Sequence, residues 1–381
     1  MKVLILSVTA GYGHIVAARA VSESLQEKGA EVRIVDVYQF ISRTVQKTID
    51  RGYLLASKRT PELYRVCYSL AVNHRPHFLN TPRFSIIHLI NTLGISKFSR
   101  LIEEFQPDAI LCTHVFAAQL MNEMKGRGEV SVPVIGIVTD YTIHPFWEDV
   151  QRIDYIVTAS ELLTHQAVKR GIDPSRLLPF GIPAHPKFSR SLSRESAARL
   201  LGIRPDRPTV LLMGGSMGYA DGRKIILQLT KTSLPLQILA VCGRNRRQLR
   251  ELTQLKTKLD GHCQLYPTGF AEHIEVMMSA SDCLITKPGG LTVSEALAER
   301  LPMLLISPIP GHEERNAEFL VNNGAASRIT KTFPADEAVV QLFENPSRLK
   351  TMKEMMQTVR RPEAAEKLAD FLLRLSDRRS C

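Results

Sequence analysis

A chain of 381 residues exceeds what one hydrophobic core usually serves, so two domains are expected. Its 44% hydrophobic and 23% charged residues suit a soluble enzyme, and no run approaches the roughly 18 apolar residues of a membrane-spanning helix. The net charge of +11 calls for anionic partners, and six cysteines, none in a C-x-x-C pair, imply reduced buried thiols rather than a disulfide framework or zinc site.

In chain order, residues 3–8 are a short apolar run of the kind a parallel sheet buries on both faces. It passes directly into Gly11-Tyr12-Gly13-His14 and a helical pattern, so it reads as a first strand and not as an export signal. Ala17, Ala20, Val21, Ser24 and Leu25 share one small-residue face of that helix, Gly29 closes it, and residues 32–37 supply the next strand. Residues 43–100 interrupt the rhythm with ten Lys or Arg against two acids, Asp50 and Glu62. Between His74 and Phe98 these are mixed with bulky apolar side chains, which reads as a basic, apolar insertion on the first domain. Strands resume at 109–112, 132–138 and 155–158. The Pro-, Ser- and Arg-rich stretch 182–208 opens with an interdomain linker. A second series follows at 209–213, 236–242, 283–286 and 303–306, and a last helix covers about 363–375. The fold class is therefore α/β, with two halves built on mainly parallel sheets.

The strongest local signal is Thr286-Lys287-Pro288-Gly289-Gly290, where a strand ends and a helix is expected near Thr292. Glycines allow close backbone approach, and free N–H groups at a helix start suit a diphosphate. Glu295, one turn in, is placed to accept hydrogen bonds from ribose hydroxyls; the plainer alternative is an ordinary strand-to-helix turn. Met213-Gly214-Gly215-Ser216-Met217-Gly218 is a second glycine turn after a strand, weak alone but stronger as a partner of the first. His14 and Asp140, also at strand ends, are the candidate acid–base groups, against a structural role for a lone His. Trp147 is either part of that site or a core anchor, and His114 reads as a structural neighbour. The loop 308–317 offers His312, Glu313 and Asn316 for hydroxyls, or else is a capping loop. No P-loop, H-E-x-x-H or D-x-D sequence is present.

These elements together, with Cys242-Gly243-Arg244-Asn245 and Gly269-Phe270, resemble the monogalactosyldiacylglycerol synthase and processive diacylglycerol glucosyltransferase family. More distantly they resemble the peptidoglycan N-acetylglucosaminyltransferase. The resemblance implies a GT-B fold, two Rossmann-like domains facing each other across a cleft. Residues 1–182 would bind acceptor and membrane, with the insert at 43–100, and 183–362 would bind the UDP-sugar; the helix at 363–381 could pack on either domain and is grouped with the first. It implies inverting transfer of a hexose from a UDP-sugar to diacylglycerol, with no metal or other cofactor. By the same analogy Gly269 and Phe270 lie at the uracil, Arg244 near the uridine, and Glu295 at the ribose. Gly215, Ser216, Gly289, Gly290 and Thr292 cradle the diphosphate, while His312, Glu313 and Asn316 approach the sugar. The family commonly has Gln where His312 stands, so glucose and galactose both remain open. His14 is the expected base with Asp140 in support, or the reverse.

Diacylglycerol stays in a bilayer, which gives the basic insert a purpose. Arg75, Phe78, Arg83, Phe84 and Ile87 are expected to dock on anionic lipids at the inner face of the cell membrane, the protein being otherwise cytoplasmic and no nucleic acid being expected. The competing readings are a UDP-N-acetylglucosamine 2-epimerase, an N-acetylglucosaminyltransferase using a lipid-linked precursor, and a non-catalytic nucleotide-sugar sensor.

Overall fold

The computed structural model describes residues 1–8, 13–40, 95–215, 221–259, 261–306, 308 and 311–380. Arg75, Phe78, Arg83, Phe84, Ile87 and Ser216 lie outside the described residues. The chain forms two compact units, one of Met1–His185, Ile309–Arg315 and Glu363–Cys381, the other of Pro186–Pro308 and Asn316–Pro362.

The first unit is built on β1 (Lys2–Ser7), β2 (Glu31–Asp36), β3 (Ala109–Cys112), β4 (Val134–Ile137), β5 (Tyr155–Val157) and β6 (Leu177–Leu178). They form one parallel sheet in the order β2-β1-β3-β4-β5-β6. β3 and β4 are buried at every position, as expected of strands covered on both faces. The helix Gly13–Glu27 turns Ala17, Ala20, Val21, Ser24 and Leu25 inward, and Gly29 at φ 82 ends it in the left-handed region. The terminal helix Ala364–Ser380 packs on that helix, adding Leu368, Ala369 and Leu372 to a core shared with Val3, Ile5 and Leu111. Lys28 and Asp370 pair across the contact at 2.7 Å.

The second unit carries β7 (Thr209–Met213), β8 (Gln237–Val241), β9 (Gln264–Thr268), β10 (Cys283–Thr286), β11 (Met303–Leu305) and β12 (Ala326–Arg328). Their order is β12-β11-β10-β7-β8-β9, again parallel throughout. Cys112, Cys242, Cys263 and Cys283 are buried free thiols.

Each sheet has a point where strand order reverses, between β1 and β3 in the first and between β7 and β10 in the second. The connections leave such a point toward opposite faces of the sheet and open a crevice at the carboxyl ends of the strands, where ligands of open α/β sheets bind. His14 and Thr113 follow β1 and β3; Gly215 and Gly289 follow β7 and β10.

Three strands lack a sequence signal: β6, β9 and β12. β6 and β9 each end a sheet, and so does β12. β6 has two residues, β12 has three, and β9 contains Pro267, a residue that demotes an internal strand but is tolerated at an edge. The helix after β10 starts at Gly290, two residues before the expected Thr292, and the terminal helix runs on to Ser380.

Trp147 is a core anchor, 4% exposed, and it packs on Gly136 of β4. A Cβ on Gly136 would stand 2.4 Å from the indole Cζ3 and 3.0 Å from Cη2. Gly136→Ala is therefore expected to cost about 1–3 kcal/mol of stability through overpacking. Urea denaturation measures it; an unchanged midpoint would mean that Trp147 is free to move.

Candidate functional site

In the first unit the imidazole of His14 is tied to the end of β3. Its Nδ1–H donates to the Thr113 carbonyl at 2.8 Å, with Thr139 Oγ1 at 3.1 Å from the same nitrogen. Thr113 is itself fully buried, and its hydroxyl donates to Ser7 Oγ at 3.0 Å. A carbonyl oxygen only accepts, so Nδ1 carries the proton and Nε2 keeps its lone pair. Burial lowers the His14 pKa, opposed by the Thr113 hydrogen bond and the Asp140 carboxylate and reinforced by His312. The ring is thus neutral near neutral pH, with a basic nitrogen available.

His144 sits one loop beyond Asp140 and caps the short helix Pro145–Asp149, its Nδ1 accepting the Phe146 N–H at 3.2 Å. Burial pushes its pKa down to about 4; Asp140 opposes this, while Arg315, His312 and Arg170 add to it. The loop is held by Gln166, whose Oε1 accepts from Ile143 N at 2.6 Å, and by an Arg170–Glu148 pair at 2.5 Å. Glu148, Gln166 and Arg170 also line a cavity of about 500 Å³ with Lys169 and Gly171. None of the site residues chosen from sequence borders it.

His312 opens the helix His312–Asn322, and Gly311 before it has φ 100. Glu314 Oε2 accepts from Gly311 N at 3.3 Å, closing the helix start on itself. Glu313 is buried at 9% exposure.

In the second unit the helix Gly290–Ala298 begins at Gly289, whose backbone is extended (φ −72, ψ 135) and which offers no side-chain cap. Val293 N–H bonds back to Gly289 O, the first bond of the helix, so the N–H groups of Gly290, Leu291 and Thr292 point out of its N-terminus. A Cβ on Gly289 would meet nothing within 4 Å. The turn before it is pinned by Asn316, fully buried, whose Nδ2 donates to Pro288 O at 3.0 Å. Gly215 after β7 has φ 83, which only glycine adopts without strain, and open space beside it.

At the ends of β8 and β9, Cys242 N and Gly243 N donate to Thr268 O and Gly269 O, which brings Arg244 to Phe270. The guanidinium lies 5.7 Å from the Phe270 ring centroid, and that ring is 54% exposed. An exposed aromatic with a cation over it is a platform for a flat, polar ring. Glu295 is partly buried, and burial pushes its carboxyl up to about 8, eased by Lys187 and reinforced by Glu275. Lys187 itself pairs with Glu275 at 2.7 Å.

The structure thus gathers His14 and Asp140 with His144 in one unit, and Gly215, Gly289, Gly290, Thr292 and Glu295 in the other, with Arg244, Gly269 and Phe270 at the ends of its β8 and β9. Sequence reasoning passed over Thr113, Thr139 and Lys187. Thr113 carried a usable signal, since it is the first polar residue after β3. Among the described residues no group of three His, Cys, Asp or Glu is arranged to hold a metal ion, and no helix is long and apolar enough to cross a membrane.

Residues 14–184 match the monogalactosyldiacylglycerol (MGDG) synthase family, and residues 209–368 match the glycosyltransferase family 28 C-terminal domain. The processive diacylglycerol beta-glucosyltransferase of Bacillus pumilus is 28% identical over 378 residues, covering 99% of this chain and 95% of its own. That of Bacillus subtilis is 26% identical over 377 residues, covering 99% and 96%. Among solved structures, MurG of Acinetobacter baumannii superposes with a TM-score of 0.65 at 18% identity, covering 98% of this chain and 99% of that one. The UDP-GlcNAc 2-epimerase of Neisseria meningitidis, bound to UDP-GlcNAc, gives 0.60 at 16% identity, covering 98% and 100%. At such identities the structures speak to the fold only. The chain thus has the GT-B fold, and it is similar to the monogalactosyldiacylglycerol synthase family over its first part and to the glycosyltransferase family 28 C-terminal domain over its second.

Proposed function

We propose that the protein transfers a hexose from a UDP-sugar to diacylglycerol, making a membrane glycolipid with inversion at the sugar carbon. The observation that carries this reading is the end-to-end match, over 99% of the chain, to relatives named processive diacylglycerol beta-glucosyltransferase. The local geometry supports it. The open N-terminus of Gly290–Ala298 and the backbone at Gly215 suit a diphosphate, stabilising the leaving UDP with N–H groups and a helix dipole. Phe270 and Arg244 suit uracil, with Gly269 keeping the approach clear, and Glu295 suits the ribose hydroxyls. His14 Nε2 takes the proton of the acceptor hydroxyl as its oxygen attacks the anomeric carbon and the bond to UDP breaks. Asp140 favours the imidazolium that results. His312 and Glu313 are assigned to the sugar, and Asn316 to holding the Pro288–Gly289 turn. We assign the first unit to acceptor and membrane, with the basic segment 43–100 docking on anionic lipid at the inner face of the cell membrane.

The test is incubation of the full chain with diacylglycerol liposomes and a panel of UDP-sugars, with the lipid product identified by mass spectrometry. A hexosyl diacylglycerol from UDP-glucose or UDP-galactose is expected. Conversion of UDP-N-acetylglucosamine with no lipid product would replace this reading by an epimerase.

Glu295 gives a separate expectation. Only its ionised form accepts from two ribose hydroxyls, and its carboxyl sits at about 8. UDP affinity is therefore expected to rise with pH from about 7 and level off above the Glu295 pKa, at most roughly tenfold per pH unit. Calorimetry of Glu295→Gln should show a flat profile over the same range. For the unliganded fold the sign is opposite. The folded carboxyl holds its proton longer than the unfolded one, so stability from this group declines as pH rises from the ordinary glutamate value of 4.5 through about 8.

A further inference from the structure

His114 follows Thr113 directly and has no part in the mechanism above. It caps the helix Val115–Gly126 from an extended backbone (φ −137, ψ 144), its Nδ1 accepting the Phe116 N–H at 3.1 Å. An imidazole whose Nδ1 lone pair is committed to a backbone N–H carries its own proton on Nε2. That nitrogen lies on the far side of the ring from the helix it caps. Burial, with His14 and His144 nearby, holds the His114 pKa well below the ordinary value, so the ring stays neutral and Nε2 stays a donor. The ring is only partly buried, and it meets His14 edge to face, with centroids 4.6 Å apart and planes at 82°.

Two adjacent imidazoles at the β1–β3 crevice are therefore fixed in opposite tautomers. His14 presents an acceptor nitrogen; His114 presents a donor. A molecule that uses both needs a hydroxyl to give up a proton and, next to it, an oxygen able to accept. Diacylglycerol has this pattern, with one free hydroxyl beside an ester whose oxygens carry no hydrogen.

We propose that His114 is an acceptor-binding residue whose Nε2–H donates to the ester oxygen adjacent to the attacked hydroxyl, fixing that hydroxyl against Nε2 of His14. This rests on diacylglycerol being the acceptor, as argued above. It gives the His114 cap a second purpose: the hydrogen bond that starts the helix also sets the tautomer that reads the lipid.

Two substitutions separate the purposes. His114→Asn keeps an oxygen where Nδ1 was, and Asn is a strong N-cap, but it removes the Nε2–H. His114→Gln places an amide N–H near the Nε2 position and forfeits the cap. With diacylglycerol in mixed micelles, H114N is expected to raise the acceptor KM roughly tenfold, the worth of one hydrogen bond to a group otherwise left unpaired. Its kcat, its KM for the UDP-sugar and its melting temperature should stay near wild type. H114Q should recover the acceptor KM and melt earlier. A long-chain primary alcohol, which has the hydroxyl without the ester, should be used equally by wild type and H114N. An unchanged diacylglycerol KM in H114N, or an equal rise with the alcohol, overturns the proposal while leaving the glycolipid synthase reading intact. Absence of glycolipid from wild type overturns that reading and the proposal with it.

Discussion

His14→Ala is expected to lower kcat by about 10²–10⁴-fold, the usual contribution of a positioned general base. UDP binding, measured by calorimetry, should be unchanged, because His14 belongs to the unit that does not carry the glycine turns. The expectation rests on the tautomer. With Nδ1–H given to Thr113 O at 2.8 Å, only Nε2 can receive the acceptor's proton. Asp140→Asn separates the two assignments. The Asp140 charge raises the His14 pKa against the lowering effect of burial. Removing that charge should move the acid limb of the kcat/KM profile to lower pH, with part of the activity retained. If Asp140 were the base, its loss would be as severe as that of His14, and the alanine variant of His14 would keep an acid limb.

Gly289→Ala is the second large effect. In the free protein an added Cβ meets nothing within 4 Å, and a φ of −72 is open to any residue, so folding should be untouched. The methyl would stand beside the outward-facing N–H groups of the helix Gly290–Ala298. Each hydrogen bond from such a group to a phosphate is worth about 1.5–3 kcal/mol, and two displaced bonds correspond to a loss of roughly a hundredfold or more in UDP-sugar affinity. A wild-type melting temperature with a collapsed affinity is the expected signature. Unchanged affinity would mean that the diphosphate does not sit on this turn. Gly215→Ala would be less informative, because φ 83 strains any other residue there and mixes a folding cost into the binding loss.

Much of the fold could be read in the chain because central parallel strands leave an unambiguous trace. β3, β7 and β10 are continuous apolar runs ended by polar or glycine-containing turns, and their observed limits are those expected from sequence. Of the four edge strands only β2 was legible, at 32–37; β6, β9 and β12 left almost no trace, being very short or carrying a proline. β9 has a single fully buried residue, and β12 is likewise mostly uncovered. The glycine turn at 286–290 was legible for a related reason. Paired glycines between an apolar strand and a helix mark where the strand ends, and the spacing to Glu295 is fixed by the helical repeat. Trp147 could not be assigned, because only the strand beneath it shows that Gly136 leaves the hole it fills.

The sequence by itself determined the element types, the two parallel α/β halves and the glycine turns, because propensity, periodicity and backbone permissiveness are local properties. The tertiary structure alone decided which strand ends are neighbours. β3 pairs with β1 although 99 residues separate His14 from Thr113, and that pairing brings the Thr113 carbonyl to His14 Nδ1. A side chain's tautomer depends on what its other nitrogen touches, and no local pattern reports that. The His14 tautomer is a consequence of strand order, which is set by how the whole sheet buries its two faces, whereas that of His114 follows from its own helix cap.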